Sequence, residues 1–405
     1  MLVTAQKNGL KLSFTVSSPT AQYTARKNGS AVLEIRAFEG GITVSVYYDF
    51  SEIPLTLTAT ASEGDRAELI LYPHRIELWV NGTLTDEEWP AGHLLYTIDA
   101  EWEGDLSLSP SDCTEETPVL PSVLSTFENA EGWRPEESVF VGDCMPYTDG
   151  DRYHVLYLKD RRHHRSKWRK GAHQWEHISS ADLVSWQIHP MAVAITAPEE
   201  GSICTGSHIR DLDTHYLFYT VRMADGSPAR ICRSISSDGY HFTKDESFAF
   251  TLSDKYDKPS ARDPKLIRDE NGRFHMILTT SLTESGRGCL AHLVSDDLFH
   301  FTECEEPIYV ADDETQPECP DHIYYNGRYY LIFSLNSKAH YMISSRPFND
   351  FRMPADPIIP CHSVPKGAVW DGRILFTGFR RLGGYAGTMT FRWAEANEDG
   401  TLSFL

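Results

Sequence analysis

Five short segments rich in aliphatic and aromatic residues recur along the chain, and this repeat constrains the fold more than any other feature. The segments begin at Tyr153, Tyr216, Phe274, Tyr329 and Ile374, so successive starts lie 63, 58, 55 and 45 residues apart. A second element, SADLVSW, SDGYHF, SDDLFHF or SRPFNDF, follows each of the first four. A strand-rich period in the fifties is typical of one four-stranded propeller blade. The pattern predicts a five-bladed β-propeller over residues 138–405, and it disfavours one large sandwich with coincidental spacing.

The N-terminal part of the chain has a different pattern. Residues 1–112 contain short alternating strands separated by Gly40-Gly41 and Asn81-Gly82 turns, which predicts a β-sandwich. Residues 113–137 are rich in Pro, Glu, Ser and Thr and are interpreted as a linker. The predicted fold class is therefore all-β, with an N-terminal β-sandwich followed by a five-bladed propeller.

The composition of the chain bears on which molecules it binds and on its cellular compartment. Among 405 residues, 58 are acidic and 37 are Lys or Arg, giving a formal net charge of −21 that disfavours nucleic acid and anionic membranes. We see no signal peptide and no apolar run of about 20 residues, and the eight cysteines are scattered, without a CxxC pair. We expect a cytoplasmic protein with reduced thiols, no cofactor and no metal, and a neutral substrate is compatible with the acidic surface. A homo-oligomer stays open, because the N-terminal domain could form a dimer contact.

Three acidic residues lie at nearly the same place in their repeats. Asp143 lies ten residues before Tyr153, and Asp263 and Glu318 each lie eleven residues before their aromatic strand. Equivalent positions on propeller blades are related by rotation about one channel, so we expect these carboxyl groups to converge. Carboxyl groups that share a site resist ionising together, and glycoside cleavage needs one protonated and one ionised carboxyl. Calcium binding is the rival interpretation, but the loop pattern typical of calcium sites is absent.

At these residues the chain resembles glycoside hydrolase family 32, the β-fructofuranosidases. The similarity runs from about residue 138 to residue 395 and includes VGDCMPYTDGDRYHVLYL, a tryptophan- and histidine-containing run ending in DLVSW, TGSHI, the Arg-Asp-Pro of SARDPKLI and the Glu-Cys-Pro of TQPECPDHIYY. One departure is clear. The family's first motif reads Asn-Asp-Pro-Asn-Gly, whereas this chain has Gly142-Asp143-Cys144-Met145-Pro146 and so lacks the flanking asparagines.

The resemblance implies roles for individual residues. Asp143 would be the nucleophile, Glu318 the general acid and then the general base, and Asp263 the transition-state stabiliser, with net retention. Further residues are expected to bind or orient the sugar. These are Arg262, Cys319, which would lie under Glu318, and Asp321, which could orient Arg262 or Glu318.

A basic and aromatic segment, residues 159–177, follows the first aromatic strand in an otherwise acidic chain. We interpret Trp168, His173 and Trp175 as a sugar-binding surface at the pocket rim, with recognition of an anionic group as the alternative. Ser207 and His208 occupy the second-blade position that corresponds to the acids, and they either face the pocket or form a strand-end turn.

Three hypotheses follow for function. The first is a retaining, exo-acting hydrolase that removes terminal furanosides, β-fructofuranosides above all, from an oligosaccharide substrate. The second is a hydrolase of another furanoside, such as an arabinofuranoside, acting with inversion. The third is a propeller that binds carbohydrate without catalysis.

Overall fold

A computed structural model describes residues 2–3, 9–48, 54–72, 75–89, 100–112, 120–136, 139–161, 173–248 and 250–405. Within these ranges the regular elements are β-strands, apart from one 3-10 turn at Lys258–Ser260, in agreement with the predicted all-β class. The chain divides into two compact units. Strands up to residue 112 and the segment Ile195–Ser202 belong to the first unit, and most described residues from Leu120 onward belong to the second.

The described part of the first unit contains two antiparallel sheets. Its strands are β1 Leu2–Val3, β2 Leu10–Thr15, β3 Gln22–Lys27, β4 Ser30–Phe38, β5 Gly41–Val46, β6 Leu55–Thr60, β7 Arg66–Leu71, β8 Ile76–Val80, β9 Thr83–Glu88, β10 Ala100–Gly104 and β11 Ser109–Asp112. One sheet has the strand order β1-β10-β3-β4-β5-β6, and the other has the order β11-β2-β7-β8-β9.

Alternation of apolar residues explains these strands. In β2, Leu10, Leu12 and Phe14 are buried, and the residues between them are more exposed. The hairpin between β8 and β9 turns at Asn81 and Gly82, whose φ angles of 50° and 78° are those that an Asn-Gly turn adopts readily.

The second unit is built from consecutive antiparallel groups of strands. They are β12 Ser125–Glu128, β13 Val139–Asp149, β14 Arg152–Arg161, β15 Gln174–Ser180, β16 Ser185–Ile188, β17 Glu200–Asp211, β18 Thr214–Met223, β19 Arg230–Ser236, β20 Thr243–Lys244, β21 Arg262–Arg268, β22 Phe274–Ser281, β23 Gly288–Ser295, β24 Thr302–Glu303, β25 Tyr309–Val310, β26 Glu318–Tyr325, β27 Arg328–Leu335, β28 Lys338–Ser344, β29 Ser363–Trp370, β30 Arg373–Arg381, β31 Gly387–Ala396 and β32 Leu402–Phe404. Each of the five aromatic segments of the sequence repeat is a strand: β14, β18, β22, β27 or β30.

Four sheets arise from these groups. Strands β17 to β20 form one sheet, β21 to β25 a second, and β26 to β28 a third. The fourth sheet joins the first and last groups of the unit, because Val141 of β13 pairs with Gly387 of β31. Residues 120–136, which the sequence analysis placed in the linker, belong to this unit and include β12, whose Phe127 stacks on Trp133 at 4.2 Å.

The second recurring sequence element is a turn stabilised by a serine and an aspartate. In three copies the serine hydroxyl and the aspartate Oδ1 are hydrogen-bonded, and Oδ1 also accepts backbone N–H groups from the two residues that lie two and three positions further on. The pairs are Ser180–Asp182 at 3.0 Å, Ser236–Asp238 at 2.9 Å and Ser295–Asp297 at 3.1 Å. In the fourth copy Ser344 donates to the carbonyl of Asn349 instead. Local side-chain bonds of this kind explain why the sequence element recurs.

A cluster of histidines is packed inside the second unit. His154 Nδ1 and His177 Nε2 are hydrogen-bonded at 3.0 Å, and the ring of Tyr147 stacks on His154 at 4.6 Å and on His208 at 3.8 Å. Burial lowers the pKa of His154 to about 3, and burial likewise holds the pKa values of His177 and His208 well below the usual range. These imidazoles are therefore neutral in the folded protein at neutral pH.

The histidine cluster predicts loss of stability in mild acid. Below about pH 6.5 the unfolded chain takes up protons that folded His154 does not accept, so the free energy of unfolding falls by about 1.4 kcal/mol per pH unit for each such histidine. Urea unfolding of His154→Gln at pH 7.5, 6.0 and 5.0 should show a shallower pH dependence than wild type. The exposed Leu212→Gln, which removes no titratable group, serves as the control and should keep the wild-type slope. Equal slopes for wild type and His154→Gln would contradict the assignment.

Candidate active site

Four strands of the second unit share the same irregularity, a bulge of one extra residue opposite the neighbouring strand. The bulges lie between Val141 and Cys144 in β13, Arg262 and Lys265 in β21, Glu318 and Asp321 in β26, and Ser363 and Lys366 in β29. A bulge re-aims the side chains around it. In each bulge, two residues lie opposite a single residue of the neighbouring strand. Glu318 immediately precedes these two residues in β26, Asp263 is the first of the two in β21, and Asp143 is the second of the two in β13. Relative to their bulges, the three acids therefore occupy three successive positions.

Hydrogen-bond donors surround the carboxylate of Asp143. Thr205 Oγ1 donates to Oδ2 at 2.5 Å, and the hydroxyl of Tyr385 donates to Oδ1 at 2.9 Å. The thiol of Cys319 lies 3.5 Å from Oδ2. The backbone N–H of Asp143 also points to the Tyr385 oxygen at 3.3 Å, so the phenol holds both the strand and the carboxylate. Donors from β17, β26 and the β30–β31 connection therefore fix the orientation of this partly buried acid.

Gly142 allows the close approach of Tyr385. A Cβ atom at position 142 would lie 2.7 Å from the Tyr385 hydroxyl oxygen and 3.0 Å from Cβ of Leu158, distances that require a shift of the neighbours. Gly142 thus leaves the space next to Asp143 that the Tyr385 hydroxyl occupies.

Asp263, Cys319, Arg262 and Glu318 form a connected group. The backbone N–H of Cys319 donates to Asp263 Oδ2 at 3.0 Å, and Arg262 Nε lies 3.7 Å from the same oxygen. Arg262 Nη2 donates to Glu318 Oε1 at 2.9 Å, and Nη1 donates to Gln316 Oε1 at 2.5 Å. Arg262 is thus the link between a buried carboxyl group and a Glu318 side chain that is 54% exposed.

Burial and neighbouring charge set the protonation of this group. Burial raises the pKa of Asp263, and the carboxylates of Glu318 and Asp143 raise it further, while Arg262 and Lys366 oppose the shift. Burial and the carboxylates of Asp263 and Asp143 hold the pKa of the Cys319 thiol well above its usual range. Burial, followed by the charge of Asp143, does the same for the pKa of Tyr385. Cys319 and Tyr385 therefore keep their protons and act as donors toward Asp143.

The geometry supports two-carboxyl chemistry. Glu318 is accessible to solvent and is held at one oxygen by Arg262, so its other oxygen can exchange a proton with a ligand or a water molecule. Asp143 is oriented by three donors and is partly buried, as suits a group that attacks or stabilises an electron-deficient centre. Asp263 is buried and is connected to Glu318 through Arg262 and to Asp143 through Cys319.

Ser207 and His208, the residues predicted at the second-blade position that corresponds to the acids, have clear hydrogen-bond partners in the structure. Ser207 donates to the carbonyl of Pro264 and accepts the N–H of Leu266, both at 2.9 Å, so it clamps β17 to β21. His208 belongs to the histidine cluster, with Nε2 3.0 Å from His215 Nδ1. Neither side chain is joined to the acids by these bonds. Both residues lie inside β17 and not in a turn at a strand end, and their contact with a sugar stays a prediction.

Asp321 lies at the end of the bulge in β26 and is 1% exposed. Its Oδ1 forms an ion pair with Lys265 Nζ at 2.5 Å, and its Oδ2 accepts the N–H of Gly367 at 2.8 Å. These contacts place it beside Lys265 and β29, whereas the sequence analysis expected it to orient Arg262 or Glu318.

The predicted sugar-binding surface is only partly described. Trp168 lies outside the described residues. Trp175 is fully buried, its indole N–H donates to the Cys204 carbonyl at 3.0 Å, and its ring packs edge-on against Tyr219. The stacking role expected for Trp175 does not fit this core position. His173 is buried, with its ring 5.3 Å from that of Tyr385 and Nε2 3.8 Å from Asp160.

Several residues around the acids were missed from the sequence. Thr205 carries a usable signal, because it lies two positions before Ser207 and so on the same face of β17. Tyr385 lies in the RLGGYAG turn and is outside the repeat register, so no pattern identified it. Gln316 and Lys366 contact the site through Arg262 and Gly206 respectively.

Metal-binding clusters and membrane-spanning helices were sought among the residues that the structure describes. No group of three or more His, Cys, Asp or Glu side chains with metal-binding geometry occurs there. The same residues include no helix that is long and apolar enough to span a membrane.

A protein-family model and several relatives match parts of this chain. The model of the Glycosyl hydrolases family 32 N-terminal domain matches residues 144–353. A probable sucrose-6-phosphate hydrolase of Psychromonas ingrahamii is 33% identical over 168 residues, and the sucrose-6-phosphate hydrolase of Bacillus subtilis is 31% identical over 195 residues. The matches cover 39% and 44% of this chain, and the chain spans 30% and 40% of the lengths of these relatives.

Solved structures support the fold. Fructan 1-exohydrolase IIa from Cichorium intybus matches with a TM-score of 0.57 and 17% identity, over 69% of this chain and 60% of that one. The sucrose-6-phosphate hydrolase from Lactobacillus gasseri matches with a TM-score of 0.54 and 18% identity, over 65% of this chain and 60% of that one.

The close approach at Gly142 predicts a coupling between two positions. Gly142→Ala should lower the free energy of unfolding by about 1–3 kcal/mol because the added methyl group overpacks the site. In a Tyr385→Phe background the loss should be smaller, because the hydroxyl that the methyl group meets is gone. Urea unfolding of the wild type, both single variants and the double variant measures this coupling. An equal loss in both backgrounds would show that the hydroxyl contact is unimportant.

Proposed function

This chain belongs to glycosyl hydrolase family 32, and on that basis we propose that it is a retaining, exo-acting hydrolase of terminal β-fructofuranosides. The arrangement of Asp143 carries the proposal. Its carboxylate is held by Thr205, Tyr385 and Cys319, and the backbone of Cys319 connects it to Asp263 and so to Arg262 and Glu318. One oriented carboxyl group and one accessible carboxyl group are the pair that glycoside cleavage uses.

In the proposed reaction, Asp143 and Glu318 each act in both of the two steps. Asp143 attacks the anomeric carbon while protonated Glu318 gives its proton to the departing oxygen, which breaks the glycosidic bond and forms a glycosyl ester. Ionised Glu318 then takes a proton from water, the water oxygen attacks the anomeric carbon, and Asp143 is released. The exposure of Glu318 suits both proton transfers. Asp263, buried next to Cys319, is proposed to hold sugar hydroxyl groups as charge develops on the ring.

The identity of the sugar is a separate part of the proposal. Relatives named as sucrose-6-phosphate hydrolases favour a short fructoside, with or without a phosphate group. Gly142 and Cys144 stand where the family has asparagine and proline, so this chain contacts the sugar differently on that side. An arabinofuranoside, cleaved with inversion, is the alternative that this difference keeps open.

We propose that the second unit is the five-bladed propeller expected from the repeat and that the two N-terminal sheets form a β-sandwich. The consecutive antiparallel groups, the shared bulges and the pairing of β13 with β31 support the propeller. In the first unit, the N–H of Thr58 in β6 donates to Asp86 Oδ2 in β9 at 2.8 Å, a bond between the two sheets that supports the sandwich.

Activity on a panel of furanosides tests the proposed function. Wild-type protein should release the terminal sugar from sucrose, sucrose 6-phosphate or 1-kestose, and Asp143→Asn and Glu318→Gln should each lower kcat/KM by about 10³. Exposed Glu314→Gln, four residues before Glu318, should be unaffected and is the control. Proton NMR of the first-formed anomer should show retention. Inversion would remove the nucleophile role from Asp143, and absence of hydrolysis across the panel would favour a binding protein.

The donors to Asp143 should contribute to the rate. Tyr385→Phe and Thr205→Val each remove a hydrogen bond to the carboxylate, so each should lower kcat about tenfold with little effect on KM. Tyr330→Phe is the matched control, because its buried hydroxyl donates to the Gly400 carbonyl and not to one of the acids. If Tyr385→Phe and Tyr330→Phe have the same effect on kcat, Tyr385 has only a structural role.

A further inference from the structure

Gln316 lies two positions before Glu318, and its side-chain amide is hydrogen-bonded at both ends. Its Oε1 accepts a hydrogen bond from Arg262 Nη1 at 2.5 Å, and its Nε2 donates to Ser260 Oγ and Ser281 Oγ, both at 2.8 Å. The two serines therefore use both N–H groups of the amide, and the amide oxygen is left to face the guanidinium. The reaction described above gives Gln316 no role.

The backbone around Gln316 is held by strands β22 and β23. Thr279 Oγ1 of β22 donates to the Pro317 carbonyl at 2.7 Å. Gly288 of β23 allows a close approach of the chain, because a Cβ atom there would overlap the Thr315 carbonyl and lie 2.7 Å from Cα of Gln316. Gln316 is thus anchored to this sheet through its backbone as well as through its side chain.

Arg262 connects this anchor to Glu318. Its Nη1 donates to the Gln316 oxygen and to the Ser260 carbonyl, the latter at 3.0 Å, and its Nη2 donates to Glu318 Oε1 at 2.9 Å. The Arg262 side chain is largely buried, whereas the Glu318 side chain is more than half exposed. The guanidinium is therefore the fixed member of the pair, and the hydrogen bond from Nη2 orients the exposed glutamate.

We propose that Gln316 is a positioning residue for the general acid, because it holds the Arg262 guanidinium where Nη2 orients Glu318. This inference rests on the proposed function for the role of Glu318, but the effect of Gln316 on the mobility of Arg262 does not. Without the amide oxygen, Nη1 loses one of its two acceptors and the guanidinium rotates more freely. Glu318 then spends less time in the orientation that gives its proton to the departing oxygen, and that step slows.

A role for Gln316 in stability alone makes a different prediction, and the leaving group of the substrate separates the two. The departing oxygen of sucrose needs a proton as the glycosidic bond breaks, because the sugar alkoxide is a poor leaving group. A nitrophenyl β-fructofuranoside releases a stable phenolate and needs little help from an acid. Loss of a residue that positions the acid should therefore slow the cleavage of sucrose selectively, whereas structural damage lowers both activities.

Kinetics of three variants on both substrates test the proposal. Gln316→Met should lower kcat/KM for sucrose about tenfold and that for the nitrophenyl substrate less than about twofold. Ser281→Ala removes one acceptor of the amide and should show the same selectivity with a smaller loss. An equal loss on both substrates in Gln316→Met, or no loss on either, would overturn the proposal. The ratio kcat/KM covers the steps up to the glycosyl ester, so the hydrolysis of that ester does not affect the comparison.

Gln187→Met is the matched control. Gln187 is half-buried like Gln316, and its Oε1 likewise accepts a hydrogen bond from an arginine, Arg152 Nη2, at 2.8 Å. Arg152 bonds to Ser179 and not to one of the acids. Gln187→Met should therefore leave kcat/KM unchanged for both substrates.

A measurement without substrate separates failure of this inference from failure of the proposed function. In ¹⁵N-arginine-labelled protein, the Nη–H signals of Arg262 are assigned by their loss in Arg262→Lys and should be separate in the wild type, since hydrogen bonds hinder rotation of the guanidinium. They should broaden or merge in Gln316→Met and stay separate in Gln187→Met. Unchanged Arg262 signals in Gln316→Met would overturn the inference, whether or not the protein cleaves a furanoside. Merged signals together with no hydrolysis of any furanoside would contradict the proposed function and not the effect of Gln316 on Arg262.

Discussion

The bulge of one extra residue shared by β13, β21, β26 and β29 is the constraint on which the placement of the acids depends. In a regular strand adjacent side chains point to opposite faces, and the extra residue interrupts that alternation. Asp263 and Cys319 occupy the same place in their bulges and have φ angles of 60° and 52°, values that non-glycine residues seldom adopt. Hydrogen bonds hold both conformations, since Asp263 N–H donates to Thr220 and Cys319 N–H donates to Asp263. The bonds that stabilise the unusual backbone are therefore the ones that orient the chemistry.

Several polar groups are buried inside the second unit. A stacked histidine cluster, an ion pair between Lys265 and Asp321, and the side chain of Lys366 all lie within it. Such groups lower stability unless each has partners, and here strands from several sheets supply them. Lys366 bonds to β17, and Ser207 of β17 bonds to β21 on either side of Pro264. Polar contacts between neighbouring sheets therefore fix the strands against one another where apolar packing alone would permit sliding.

Much of the strand pattern and the three acids could be predicted from the sequence because both depend on local periodicity. The repeat identified β14, β18, β22, β27 and β30, and the Ser–Asp turn explains why the second element recurred. The environment of the acids could not be obtained in this way. Tyr385 reaches Asp143 from 242 residues away, and Thr205 from 62. Offsets counted from the aromatic strands also concealed the one-position shift between Asp263 and Glu318. The stretch from the end of the bulge to the aromatic strand is one residue shorter for β26, eight positions from Asp321 to Tyr329, than for β21, nine positions from Lys265 to Phe274. Trp175 shows a further limit of the sequence pattern. Whether an aromatic side chain is buried depends on neighbours that are distant in sequence, and a local pattern does not identify them.

The pairing of Val141 with Gly387 has a consequence for the order of events during synthesis. The strand that carries Asp143 emerges from the ribosome early, but the segment that contains Tyr385 and β31 emerges only after some 240 further residues have been translated. Until then β13 presents an unpaired edge, a surface that readily joins other nascent chains. The hydrogen-bond environment of Asp143 is therefore completed only when the segment that contains Tyr385 docks against β13.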